Sequence, residues 1–173
     1  MGQSSSISAW NFVPKKRITV LFLGMGGSGK TTVLYSDFGI TIPTIGFNIE
    51  EINYRGCVLK IFDVGGGDRI YPLWVHYLED KPAIVFFIDS SEETQLAQAK
   101  ERLHMLLNQE KAKGLPLIIA ANMKDVDQSM SNEIMEEYFN LHTLTNRKWK
   151  VIGLSGKNCD GVYEIYDWVL ENM

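Results

Sequence analysis

The chain has 173 residues, 45% of them hydrophobic and 22% charged, the profile of one soluble globular domain large enough to bury a full core. A net charge of −4 argues against a nucleic-acid surface, which needs a basic field. Cys57 and Cys159 suggest neither a disulfide framework nor a zinc site, His76, His104 and His142 lack metal-ligand spacing, and no apolar run reaches the ~18 residues of a membrane span, so a cytoplasmic protein with reduced thiols is expected.

Residues 1–14 are small, Ser-rich and end at Pro14, and are set apart from a domain expected over 15–173. Met1-Gly2-Gln3-Ser4-Ser5-Ser6 fits the pattern M-G-x-x-x-[ST], which makes Gly2 a candidate for N-myristoylation. One such chain binds membranes only marginally, with K of about 10⁴ M⁻¹, so a second signal is needed. Ile7, Trp10 and Val13 would share a helical face, and Lys15-Lys16-Arg17 form a small basic cluster behind it.

From Arg17 onward, apolar runs alternate with amphipathic ones. Strands are expected over 17–23, 45–53, 57–63, 83–89, 116–121 and 149–154. The second and third are joined only by Tyr54-Arg55-Gly56, too short for a crossover helix, so they should form an antiparallel hairpin. Leu96, Ala99, Leu103 and Leu106/Leu107 mark a helix within 94–111, and further helices are expected near 131–140 and 161–171. The alternation implies an α/β fold: a largely parallel sheet with helices on both faces.

Gly24-Met25-Gly26-Gly27-Ser28-Gly29-Lys30-Thr31 fits G-x-x-x-x-G-K-[ST], between the strand-like Ile18–Leu23 run and a helical start at Thr31-Thr32-Val33. That strand–loop–helix setting is what a phosphate-binding loop requires. Its glycines let backbone N–H groups converge on an anion, Lys30 would reach the β- and γ-phosphates, and the Thr31 hydroxyl would ligate Mg²⁺.

Four further segments fall at strand ends, where ligands of such sheets sit. Asp63-Val64-Gly65-Gly66 offers an acid for Mg²⁺, through water, and a Gly66 amide for a γ-phosphate oxygen. Thr44, in Pro43-Thr44-Ile45-Gly46, is placed to ligate the same ion when a γ-phosphate is present. Asn122-Met123-Lys124-Asp125 offers a carboxylate at Asp125 that can accept two hydrogen bonds from the guanine edge, a pair adenine does not supply. Ser155-Gly156-Lys157 can present amides to guanine O6. Each segment alone is an ordinary loop pattern; five in order are not.

With these residues the chain resembles the ADP-ribosylation-factor family of small GTPases. Pro43-Thr44-Ile45-Gly46-Phe47-Asn48 and Asp63-Val64-Gly65-Gly66 with Pro72-Leu73-Trp74 are specific to that branch, supported by His76-Tyr77, Asp89-Ser90 and Asp160-Gly161-Val162-Tyr163-Glu164. The resemblance implies a three-layer P-loop fold, a six-stranded, mostly parallel sheet with one antiparallel hairpin strand. It implies a monomeric GTP/GDP switch in vesicle trafficking, with exchange factors, effectors and a Golgi or endomembrane surface as partners. Lys30, Thr44, Gly66 and Gly67 would stand at the reacting phosphate, and Phe47, Phe62 and Tyr77 would form an aromatic effector patch. In the family the N-terminal helix docks in a groove with GDP bound and is released as the hairpin shifts on GTP binding.

The chain departs from the family at four points. Gly67 stands where the family has the glutamine that orients the attacking water. Partner stimulation of up to ~10⁵-fold rests on that group, so slow hydrolysis is expected, with Asp68 the nearest residue that could replace it. This keeps open a GTP-binding scaffold or adaptor that does not hydrolyse. Met123 replaces a lysine and keeps the apolar cover of the purine without the charge; Lys124, counted among the expected nucleotide-binding residues, could partly substitute, though it should point elsewhere. The Lys30-to-Thr44 interval is about four residues short, with the loss falling around Ser36-Asp37-Phe38-Gly39. Phe62 replaces a tryptophan. A small-molecule kinase is disfavoured because no arginine lies between Asp125 and Asn140 to form a phosphate-clamping lid.

Overall fold

The structure, a computed structural model, describes residues 15–35 and 44–173. Six strands, β1 (Arg17–Gly24), β2 (Phe47–Tyr54), β3 (Cys57–Val64), β4 (Ala83–Asp89), β5 (Leu117–Asn122) and β6 (Trp149–Gly153), form one sheet in the order β2-β3-β1-β4-β5-β6. Every neighbouring pair is parallel except β2 and β3. Among the described residues four α-helices, α1 (Lys30–Leu34), α2 (Leu96–Leu107), α3 (Asn132–Tyr138) and α4 (Val162–Asn172), cover it.

The six expected strands are present, none with an end shifted by more than two residues. The hairpin closes tightly: Tyr54 pairs with Cys57, and Arg55 and Gly56 between them have φ of 44° and 81°. Two consecutive left-handed residues make the turn whose twist matches an antiparallel pair, and Gly56 takes its position without steric cost.

The central strands are apolar along both faces because both are covered. Leu21, Leu23, Ile84, Phe86, Ile119 and Val151 pack on one side with Trp74, Leu103, Met135 and Phe139. Val20, Phe22, Val85, Phe87, Ile118 and Ile152 pack on the other with Val33, Ile165 and Val169. Successive residues thus enter different cores, which explains the unbroken hydrophobic runs and gives three layers. The helix expected within 94–111 is α2 flanked by 3-10 turns at Glu93–Gln95 and Glu110–Ala112. A 3-10 helix over Tyr71–Leu78, which the periodicity does not announce, buries Trp74 and Leu78 beside the sheet.

The sheet reverses its winding direction at β1, which lies between β3 and β4. A crevice opens at the carboxyl ends of the strands beside such a point. The glycine-rich loop leaves β1 there.

Candidate nucleotide-binding site

The crevice is a cleft of about 360 Å³ lined by the loop after β1, by Thr44, by the Gly65–Gly67 turn after β3 and by Met123. That volume is of ligand size. Four segments distant in sequence therefore meet where the motifs predict.

Within the loop, Lys30 is buried and its ammonium donates to the carbonyls of Gly24 at 3.0 Å and Met25 at 2.8 Å. Burial lowers its pKa to about 8, and the nearby Asp63 carboxylate opposes the shift. A cation so poorly solvated favours an incoming polyanion. Gly66 shows how closely the two loops approach. A Cβ on it would lie 2.2 Å from the Gly24 carbonyl oxygen and 2.6 Å from the Gly26 nitrogen, so only glycine lets the turn after β3 rest against the phosphate loop.

Three oxygens gather beside Lys30. Thr31 Oγ1 donates to Asp63 Oδ2 at 2.6 Å, Thr44 Oγ1 lies 2.8 Å from Thr31 Oγ1, and Thr44 Oγ1 donates to Asp63 Oδ2 at 3.1 Å. Asp63 is fully buried, and its second oxygen, Oδ1, has no hydrogen-bond partner among the described residues. One carboxylate with a free buried oxygen and two hydroxyls suit a hard divalent cation that completes its shell with phosphate and water oxygens. The residues present therefore fit magnesium, held by Thr31 and Thr44 with Asp63 behind them.

At the other end, Asn122 joins three loops: its Nδ2 donates to the Ser28 carbonyl at 3.0 Å and its Oδ1 accepts from the Gly156 amide at 3.0 Å. Gly156 in turn lies against Thr32 and Val33, where a Cβ would be 3.4 and 3.1 Å from their methyl carbons. Gly29 is equally constrained, with φ of 84° and a Cβ position only 2.1 Å from Asn122 Nδ2. Asp125 Oδ1 accepts from Ser155 Oγ at 2.8 Å, and that bond, with Lys157 nearby, holds its carboxyl below the usual range. The carboxylate is thus ionised and oriented.

Met123 sits at φ 66°, and its methyl carbon approaches to 3.7 Å of the Cβ position of Gly29, so it walls the cleft. Lys124, expected among the nucleotide contacts, instead turns away: its Nζ donates to the Met130 carbonyl and its chain packs on Gly153. Asp68 is also directed elsewhere, its carboxylate paired with Arg102. Arg102, which the motifs do not flag, is buried and donates through Nη1 to the Gly66 carbonyl at 2.9 Å. The available signal is a guanidinium at the edge of the apolar stripe of α2. Trp74 Nε1 similarly donates to the Gly65 carbonyl at 3.0 Å.

The three aromatic residues expected as a patch do meet: the Phe47 and Tyr77 ring centroids are 5.6 Å apart and those of Phe62 and Tyr77 6.1 Å. Phe47 is 48% exposed. Gly2, the whole of 1–14, Pro43 and the shortened stretch around Ser36–Gly39 lie outside the described residues. Among the described residues no helix is long and apolar enough to cross a membrane.

A phosphate loop on a doubly wound sheet, with an Asp-x-Gly-Gly turn and an Asn-x-x-Asp loop at its rim, defines a small GTPase. Comparison with known proteins narrows the class. The ADP-ribosylation factor family model matches residues 4–173. ADP-ribosylation factors J and K of Dictyostelium discoideum are each 37% identical over 166 residues, covering 94% of this chain and 88% of theirs. The structure of the Arl6 BBS3 small GTPase from Trypanosoma brucei with the bound nucleotide analogue GppNp superposes with a TM-score of 0.83 at 25% identity, over 90% of this chain and 96% of that one. The chain belongs to the ADP-ribosylation factor family and binds GTP and GDP.

Proposed function

We propose that the protein is a GTP-dependent switch whose hydrolysis is slow and whose triphosphate state is long-lived. The observation that carries this is the position after Gly66. Gly67 lines the cleft with no side chain, and Asp68, the nearest residue that could orient water, is engaged by Arg102. The acceleration supplied elsewhere by a water-orienting group is then missing.

The chain's own residues account for binding. Backbone amides of Gly26–Gly29 and the Lys30 ammonium take the phosphates, Thr31, Thr44 and Asp63 hold the cation, and Asp125 with the Ser155-Gly156-Lys157 turn takes the base. Bound magnesium supplies neutralisation of charge on the phosphate oxygens. Thr44 already lies beside Thr31 and Asp63, which is the arrangement a γ-phosphate state calls for.

Membership of the family supports a role in vesicle trafficking at Golgi or other endomembranes, with an exchange factor and effectors as partners, the latter meeting Phe47, Phe62 and Tyr77. It also supports myristoylation of Gly2 in a segment, 1–14, that precedes a GTP-binding domain over 15–173. Gly67 also keeps a second reading alive, a GTP-binding scaffold or adaptor with no turnover.

Chromatography of the nucleotide released from purified protein, followed by single-turnover phosphate release after loading with GTP, tests both. Guanine nucleotide with slow release supports the switch. Bound GTP with no release over days supports the adaptor, and ATP or no nucleotide rejects both. Incorporation of labelled myristate, abolished by Gly2→Ala, tests the lipid anchor.

A further inference from the structure

Arg102 is 4% exposed, deep for a guanidinium, and every partner it has among the described residues is on the segment that follows β3. Its Nη1 donates to the Gly66 carbonyl at 2.9 Å, its Nη2 pairs with the Asp68 carboxylate, and its guanidinium carbon lies 4.3 Å from the centre of the Tyr71 ring. These contacts are unequal. The Asp68 side chain is 84% exposed, so water screens that ion pair. The Gly66 contact is buried and charge-assisted, and it dominates.

That contact fixes more than one atom. A peptide unit is planar and trans, so its C=O and N–H point in opposite directions. With the Gly66 carbonyl turned toward α2, the N–H of Gly67 is turned away from α2, and both residues of this peptide line the cleft. The Gly67 carbonyl is already used, accepting from Ile70 at 2.8 Å and Tyr71 at 3.0 Å. With no side chain at 67, this amide is the polar group the position has left to offer a phosphate.

We infer that Arg102 is a positioning residue: by clamping the Gly66–Gly67 peptide it presents the Gly67 amide to the terminal phosphate and so favours GTP over GDP. The inference rests on the nucleotide reading above. The β- and α-phosphates are served by the loop after β1 and do not depend on the clamp. Loss of Arg102 should therefore change the ratio of the two affinities, whereas a purely structural role would lower both together.

The test measures binding of GDP and of the non-hydrolysable GTP analogue GppNp, with magnesium, to the full chain and to Arg102→Ala, Arg102→Lys and Asp68→Ala. Arg102→Ala should bind GppNp about tenfold more weakly with GDP affinity within about twofold, the scale of one buried charge-assisted hydrogen bond. Arg102→Lys, which keeps a single donor, should recover part of the loss, and Asp68→Ala should stay within about twofold of the parent for both nucleotides, because its ion pair is exposed. Parallel weakening of both nucleotides, or no change in either, overturns the inference. If the alanine variant does not fold, Arg102→Met, which fills similar space without a donor, reads the same ratio against Arg102→Lys. Parent protein that binds neither nucleotide overturns the nucleotide reading itself, an outcome separate from parallel weakening.

Discussion

The hydroxyl of Thr31 lies 2.6 Å from a carboxylate oxygen of Asp63, joining the end of the phosphate loop to the end of β3. Thr44 completes the group by touching both. Lys30 and the buried Asp63 carboxylate stand close enough for their charges to act on each other. The site is thus a charge arrangement with one carboxylate oxygen, Asp63 Oδ1, left without a partner among the described residues.

Asp63→Asn should separate the two costs of that arrangement. The amide removes one buried charge but leaves the buried Lys30 ammonium without its opposing carboxylate, so the nucleotide-free protein should be less stable than the parent. Metal affinity should fall about 10- to 100-fold, the usual effect of losing a group behind the direct ligands. Thermal melts with and without magnesium and GDP read both quantities, since a ligand stabilises in proportion to its binding. A magnesium-dependent shift as large as the parent's would remove Asp63 from the metal site.

Lys30 sets a pH dependence. Burial lowers its folded-state pKa to about 8 from the ordinary lysine value of 10.5. Between those values the unfolded chain binds more protons than the nucleotide-free fold, so stability should rise with pH across that window, and the burden is fully present below about 8. Phosphate beside the ammonium favours its charged form, so binding above pH 8 should take up a proton, and GDP affinity should weaken as pH climbs further. Calorimetry at pH 8.5 in buffers of different ionisation enthalpy measures the uptake. Lys30→Gln should bind weakly with no such dependence, and identical proton uptake in that variant would exclude Lys30 as its source.

Met123 tests the rim. Its side chain walls the cleft near Gly29, while Lys124 is spent on the Met130 carbonyl and cannot lend its charge. Restoring a cation with Met123→Lys keeps the aliphatic cover and adds an attraction to the phosphate loop. GDP release should slow by about two- to fivefold, the scale of one partly exposed charge interaction. Fluorescent-nucleotide displacement gives the rate. Unchanged release would mean that the loop carbonyls near 29 do not sense the ammonium.

The two kinds of residue at this site differ in how far sequence reveals them. Lys30, Thr31, Asp63, Asn122 and Asp125 stand at strand ends in patterns whose chemistry dictates the residue type; the structure brings the first four around the phosphate loop and ties Asp125 to Asn122 through the Ser155-Gly156 turn. The strands were legible because β1, β4 and β5 bury both faces, which leaves uninterrupted apolar runs. Arg102 was not legible. Its partner is a main-chain carbonyl 36 positions away, and a backbone acceptor leaves no mark in a residue pattern. The 3-10 helix over Tyr71–Leu78 was missed for a related reason, since its three-residue repeat matches neither the helical nor the strand period. Asn122 was expected only as part of a guanine motif. It also ties the Ser28 carbonyl to the Gly156 amide, which makes it a brace between the phosphate and base ends.

Gly67 carries the proposal of slow turnover, and the structure makes its substitution informative. A Cβ at this position meets no atom of the described residues within 4 Å, and its φ is outside the left-handed range, so a side chain adds neither clash nor backbone strain. Gly67→Gln should therefore fold normally and place an amide beside the cleft. Hydrolysis should accelerate by about tenfold to a hundredfold, short of the 10²–10³ that a fully preorganised hydrogen-bonding group contributes elsewhere. The Gly67 amide stays clamped through Arg102 in this variant, so GTP affinity should hardly move and the gain should appear in the chemical step. Single-turnover phosphate release from GTP-loaded protein, with nucleotide affinity measured in parallel, separates the two. A parent protein that already hydrolyses quickly, with no gain from the glutamine, would show that another group orients the water. Asp68 would then be the first to substitute, since freeing it from Arg102 needs only a rotation of an exposed side chain.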